Sequence, residues 1–193
     1  MSLVAASASL GLGVTVWEMT KIMERASIGA HCKIGSNVYI GPGVSVGAGS
    51  KIQNGAQIYD PAKLGLGVFV GPGAVLTNDR FPRSLDSAGR SKDRSGWDTV
   101  GVEVGDGASI GANATCVAPL SIGAWALVGA GAVVTSDVKP YSIVLGVPAT
   151  HRGWVGEAGH PLVETKGFFV CPTSSQRYGV TDGFLHPISE TSA

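Results

Sequence analysis

Charge is scarce in this chain: 15% of its 193 residues are Asp, Glu, Lys or Arg, and fourteen bases balance fourteen acids. A formal net charge of zero provides no field to draw in nucleic acid, an acidic membrane surface or another polyanion. Cysteine is scarce as well. Three without a close pair make neither a disulfide framework nor a zinc site; Cys32 and Cys116 are expected as buried small apolar residues, and Cys171 stands alone in the tail. No uninterrupted apolar run is long enough to span a bilayer. The apolar opening, Met1 to Val16, has no positive residue before Lys21 and so lacks the charged start of a secretory signal, which points to the cytoplasm.

What the chain has in quantity is glycine, 29 residues, and a beat. From Val16 every sixth residue is aliphatic: Val16, Ile22, Ile28, Ile34, Ile40, Val46, Ile52, Ile58, Leu64, Val70, Leu76. After a break the beat resumes at Val104, Ile110, Cys116, Ile122, Val128 and Val134, and glycine usually follows the aliphatic position. A helix would space apolar residues by three and four, and a lone strand by two. Six residues hold a short strand and a bend, with Gly, Asn and Asp taking the backbone angles that β-branched residues avoid. Three hexads close a triangular coil of eighteen residues whose copies stack at about 4.8 Å, the strand spacing of a sheet. The fold class is therefore all-β, a parallel solenoid in which each coil buries its face against its neighbours.

The spacing divides the chain into an N-terminal lead-in (1–15), a solenoid (16–154) and a C-terminal extension (155–193). Residues 79–103 interrupt the solenoid, because Leu76 to Val104 is twenty-eight residues and not a multiple of six. This excursion holds Arg80, Arg83, Arg90, Lys92 and Arg94 beside Asp79, Asp86, Asp93 and Asp98, with Trp97, and a loop leaving a rigid scaffold is a common seat for binding residues. In the extension, FFVCPTSSQRYGV reads as two short strands around a polar turn, a packing or capping flap, and the closing SETSA as a mobile end.

Counting in eighteens stacks Asn78 over Asp60, Pro42 and Glu24 on one outer column, with the excursion leaving just beyond Asn78. An amide and a carboxylate one strand spacing apart offer an acceptor oxygen and a negative charge to a protonated amine. The plainer alternative is that both side chains only satisfy corner backbone groups, as Asn and Asp often do. A second column, Gly111/Ala112, Gly129/Ala130 and Val147/Pro148, consists of small residues and leaves a groove along the wall for a long thin ligand. Lys139 and Arg152 are expected at the end of that groove.

Together the hexads, KIQN at Lys51–Asn54, the pair Tyr59–Asp60, the segment from Val68 to Arg83 and the later GVPA resemble the hexapeptide-repeat acyltransferases. Within them they resemble the bacterial enzymes that acetylate the 3-amino group of UDP- or dTDP-linked sugars. The resemblance covers roughly residues 20–155. It implies a left-handed parallel β-helix, acetyl-CoA as co-substrate without a metal, a nucleotide-linked amino sugar as acceptor, and a homotrimer with its sites between subunits. It also implies Asn78 as the residue that positions the amine, with Asp60 the runner-up as base. Gln53, Asn54, Tyr59 and Arg83 fall on the nucleotide-sugar side. Gly111, Ala112, Gly129 and Ala130 line the coenzyme groove, and Lys139 and Arg152 meet the coenzyme phosphates. One departure is Asp60 itself, where the family usually has Glu, a longer acid.

Acyl transfer to an amine needs a neutral amine, a proton acceptor and a donor for the oxyanion. None of the four histidines, His31, His151, His160 and His186, falls in the column of Asn78. Direct attack without a protein base is thus the leading expectation, as the resemblance to these enzymes implies. A zinc carbonic anhydrase on this scaffold would need three convergent histidines. The remaining alternatives are an acyltransferase of another small acceptor or with a longer acyl chain, and a non-catalytic binding module, which an acetyl-CoA assay separates.

Overall fold

The computed structural model describes residues 1–92 and 98–188, and in it almost every hexad becomes a two-residue strand followed by a turn. Three sheets wall a triangular prism. Face A holds seven strands from Leu3–Val4 to Val133–Val134, and face B six from Ser9–Leu10 to Leu120–Ile122. Face C holds eight, beginning at Thr15–Val16, and its last member, Thr150–Trp154, is antiparallel. The architecture is the expected left-handed parallel β-helix.

The register follows the beat. Ile22 pairs with Ile40, Ile40 with Ile58 and Ile58 with Leu76, each a step of eighteen. These ladder residues are shut off from solvent, Ile22, Ile40, Ile58 and Leu76 all at 0% exposure. Each buried aliphatic side chain contributes about 2 kcal/mol, and a ladder repeats that gain at every rung. Cys32 and Cys116 take interior positions, as expected, and burial pushes the Cys116 thiol up to about 12.

One boundary and the length of the last coil differ from the sequence reading. Residues 1–15 are not a lead-in: Leu3–Val4 pairs with Lys21–Ile22, and Ser9–Leu10 with Ser27–Ile28, so the coils begin at the chain's start. Val4 and Leu10 keep the beat but stay exposed, because a first coil has a neighbour on one side only. At the other end Val128 pairs with Val144, a step of sixteen, so the last coil is two residues short. The excursion inserts twenty-two residues, since Leu76 pairs with Cys116 and Leu64 with Val104 at steps of forty.

Beyond the prism, Val163–Thr165, Phe168–Val170, Arg177–Thr181 and Phe184–Pro187 form an antiparallel meander that includes the expected strand pair. Its small core, Cys171, Tyr178 and Leu185, packs on Tyr141 and Trp154 of the solenoid's end. Asp93, Arg94 and Trp97 of the excursion and the closing SETSA lie outside the described residues. No helix among the described residues is long and apolar enough to cross a membrane.

Candidate functional site

The corner between faces A and B carries Tyr59, Asp60 and Asn78. The Ile58–Leu76 pairing sets Asn78 one coil above Asp60, as the count in eighteens expects. Both side chains are half-buried. Tyr59 packs its ring on Tyr39 of the coil below, centroids 5.2 Å apart.

Other corners show how this fold disposes of an Asn or Asp in the second corner position. There the side chain folds down onto the coil beneath and accepts that coil's corner N–H. Asn54 Oδ1 takes the Ser36 N–H at 2.9 Å, and Asp106 Oδ1 takes the Leu66 N–H at 2.7 Å. Those bonds are the plain structural use of an Asx corner. Asp60 leans the same way, its Oδ1 3.0 Å from where a β-carbon on Gly41 would stand, but the residue beneath it is Pro42, which has no N–H. Asn78 in turn does not take the Asp60 N–H. Among the described residues, neither the Asp60 carboxylate, nor its N–H, nor the Asn78 carboxamide is engaged in a hydrogen bond. The coil above is tied down by a different side chain: Thr77 Oγ1 accepts the Ala118 N–H at 3.0 Å.

From Asn78 the excursion departs through a neck, closed by an antiparallel bridge between Asp79 and Thr99 and by the Val100 N–H donating to Asn78 O at 3.0 Å. Arg80, Phe81, Pro82 and Arg83 line one cleft just past the neck, the Arg80 guanidinium 5.5 Å from the Phe81 ring centre. Farther out the Asp86 carboxylate accepts the Arg90 N–H and guanidinium, which hold it below the usual carboxylate range.

The corner between faces C and A gathers Gln53, Asn54, Gly111, Ala112, Gly129 and Ala130 in one column, through the pairings Ile52–Val70, Val70–Ile110 and Ile110–Val128. The N–H groups of Ala112 and Ala130 form no hydrogen bond among the described residues, so this small-residue edge has two unused donors on successive coils. Its top differs from expectation. With a last coil of sixteen, Leu145 and Gly146 follow Gly129 and Ala130, in place of Val147 and Pro148, and Leu145 leans over Gly129.

Several expected neighbours are separated. Gln53 and Asn54 share an edge with the alanines and not with Tyr59, which lies across face A; six residues of extended chain span at most about 20 Å. The oxygen of Asn54 is spent on Ser36. Lys139 sits at the corner between faces B and C, where its ammonium donates to Gly183 O at 3.0 Å and stands 4.6 Å from the Phe184 ring centre, binding the meander to the prism. It is therefore not on the small-residue edge. Arg152 is exposed on Thr150–Trp154, beside the irregular pairing of Ile143 and Val144 on face C.

No histidine reaches Asn78's corner. His31 lies on the column that also contains Gly13, at the corner between faces B and C. His151 lines a cavity of about 340 Å³ over the last inner rung, with Lys139, Ser142, Val144 and Trp154. Burial and then the Lys139 charge hold its imidazole below the ordinary 6.5. His186 belongs to the meander, paired with Gly179. Among the described residues no group of His, Cys, Asp and Glu is arranged to hold a metal.

A family model described as the hexapeptide repeat of succinyl-transferase matches residues 25–60, 94–115 and 101–136. The dTDP-3-amino-3,6-dideoxy-alpha-D-galactopyranose 3-N-acetyltransferase of Aneurinibacillus thermoaerophilus is 42% identical over 79 residues, which cover 41% of each chain. The bifunctional protein GlmU of Thermotoga sp. strain RQ2 is 54% identical over 52 residues, 26% of this chain and 12% of that protein. The chain thus spans less than half the length of both. Among solved structures, the polySia-specific acetyltransferase NeuO superposes with a TM-score of 0.54 at 16% identity, covering 86% of this chain and 85% of that one. That likeness concerns the fold. In sequence the chain is similar to hexapeptide-repeat acyltransferases, nucleotide-sugar enzymes among them.

Proposed function

We propose that this hexapeptide-repeat protein is an N-acetyltransferase that moves an acetyl group from acetyl-CoA to the 3-amino group of a UDP- or dTDP-linked sugar. The carrying observation is the unused polar corner. Asn54 and Asp106 are consumed by the coil below, whereas Asn78 and Asp60 present a carboxamide, a carboxylate and an N–H at the mouth of the excursion. The similarity to the Aneurinibacillus thermoaerophilus enzyme, whose name places its acetyl group on a 3-amino nitrogen, supports a nucleotide-linked 3-amino sugar as acceptor.

In this reading Asn78 orients the amine and Asp60 holds it while it is still protonated. After the ammonium gives its first proton to solvent water, the neutral amine attacks the thioester carbonyl, the C–S bond breaks, and CoA leaves as thiolate. The surplus proton passes from the new amide nitrogen to the thiolate or to water. Positioning of this kind supplies several kcal/mol of barrier lowering, roughly the range of a well-oriented intramolecular reaction. The Ala112 and Ala130 N–H groups line the path of the pantetheine arm, and Arg152 stands near its phosphate end. Lys139 is withdrawn from that role by its bond to Gly183. Arg80 and Arg83 face the acceptor's pyrophosphate or a C5 carboxylate.

The amine corner and the thioester edge lie on opposite borders of face A, so one chain alone does not close the site. A closed cyclic trimer, each subunit setting its small-residue edge against the next one's Asn78 corner, supplies both halves. Gln53 then meets the sugar nucleotide held by a neighbour. Acetyl-CoA as donor agrees with a cytoplasmic enzyme. The test is acetyl-CoA turnover with 3-amino sugar nucleotides, together with sedimentation to read the assembly; a turnover-free monomer contradicts the reading.

A further inference from the structure

Pro42 has no role in the acetyl-transfer reading, yet the register sets it one coil beneath Asp60. At two stacked corners of this fold the N–H of the second corner residue points up at the side chain one coil higher. Ser36 gives its N–H to Asn54, and Leu66 gives its N–H to Asp106. In both pairs the upper oxygen fills the space above the preceding glycine, Gly35 or Gly65. Asp60 leans over Gly41 in the same direction but less closely, with its Oδ1 3.0 Å from the place a β-carbon would occupy. The Ile40–Ile58 pairing puts Pro42 directly beneath it. A pyrrolidine nitrogen has no hydrogen to donate.

We infer that Pro42 is a positioning residue whose missing N–H keeps the Asp60 carboxylate free for the incoming amine. Any other residue at position 42 would present an N–H to that carboxylate, as Ser36 and Leu66 do to theirs. A carboxylate that accepts a backbone N–H is held by a charge-assisted bond, and its lone pairs turn away from a substrate. The role of the freed carboxylate rests on the acetyl-transfer reading; the contact itself does not.

The substitution Pro42→Ala tests this, with Pro42→Ser as a second variant because serine already stands in the equivalent place beneath Asn54. Hydrogen exchange of the new residue-42 amide, followed by NMR, is expected to be slowed in Pro42→Ala and fast again in Pro42→Ala/Asp60→Ala. In the same variants kcat is expected to fall about tenfold, the loss that tying up a charged acceptor implies, with KM for acetyl-CoA unchanged. In an Asp60→Ala background the Pro42 substitution should have no further effect on kcat. A fast-exchanging amide in both single variants overturns the contact. A protected amide with unchanged kcat, or a kcat loss that persists without Asp60, overturns the positioning role. If no sugar nucleotide turns over in the parent, the acetyl-transfer reading fails and the exchange result still decides the contact.

Discussion

Asn78 stands one coil above Asp60, and among the described residues no hydrogen bond engages either side chain. Asn54 and Asp106, which hold the same second corner position elsewhere in the fold, are each fastened to the coil below, so these two idle polar groups in register are the basis of the proposed acceptor site. Four consequences can be measured.

Asn78→Ala should lower kcat by about a hundredfold or more, the scale of losing a group that orients the reacting nitrogen, with little change in KM for acetyl-CoA. Steady-state kinetics checks it. Because Asn78 bonds to no described side chain, thermal unfolding should barely move.

Asp106→Ala should do the reverse. It removes the acceptor for the Leu66 N–H at 2.7 Å and should cost about 1 to 2 kcal/mol of stability, read from denaturant or thermal unfolding. Asp106 lies at the corner between faces B and C, away from both proposed half-sites, so kcat should stay at the parent value.

His31→Ala and His151→Ala should leave kcat within about twofold at saturating substrates, since His31 occupies another corner and His151 faces the axial cavity. A loss matching that of Asn78→Ala in either variant would restore a histidine base and remove the direct-attack mechanism.

Acid should weaken the solenoid's C-terminal end only slightly, because His151 is exposed. The folded-state midpoint of His151 lies below its ordinary 6.5, through burial first and the Lys139 charge second. The folded protein then takes up fewer protons than the unfolded chain as pH falls. The stability tied to neutral His151 is complete above about pH 6.5 and is lost as pH falls through the folded midpoint. NMR titration of the imidazole should find that midpoint low, and Lys139→Met should raise it by removing the neighbouring cation.

The inner ladder was legible because burial imposes it: an aliphatic residue that misses its place faces water, so the period of six appears in the letters themselves. Val4 and Leu10 keep the same period, but their exposure at an end coil leaves the chain's opening looking like a lead-in. The last coil's missing two residues shift Leu145 onto the groove, and no repeat follows to reveal the slip. Lys139 was misplaced because its partner, Gly183, belongs to a meander that has no period. The use of Asn54 depends on the N–H of Ser36, eighteen residues earlier, and the freedom of Asp60 on Pro42 at the same interval. Reading vertical neighbours for donors as well as for size would have separated these two corners from sequence alone.

The most direct test of the acetyl-transfer reading is release of CoA thiol from acetyl-CoA by the intact protein, across a panel of UDP- and dTDP-linked 3-amino sugars. The account predicts turnover with at least one 3-amino sugar nucleotide, none with the matching 3-hydroxy sugar nucleotide, and near-complete loss in Asn78→Ala. An inactive parent across the panel, or an Asn78→Ala variant that works as well as the parent, would contradict it.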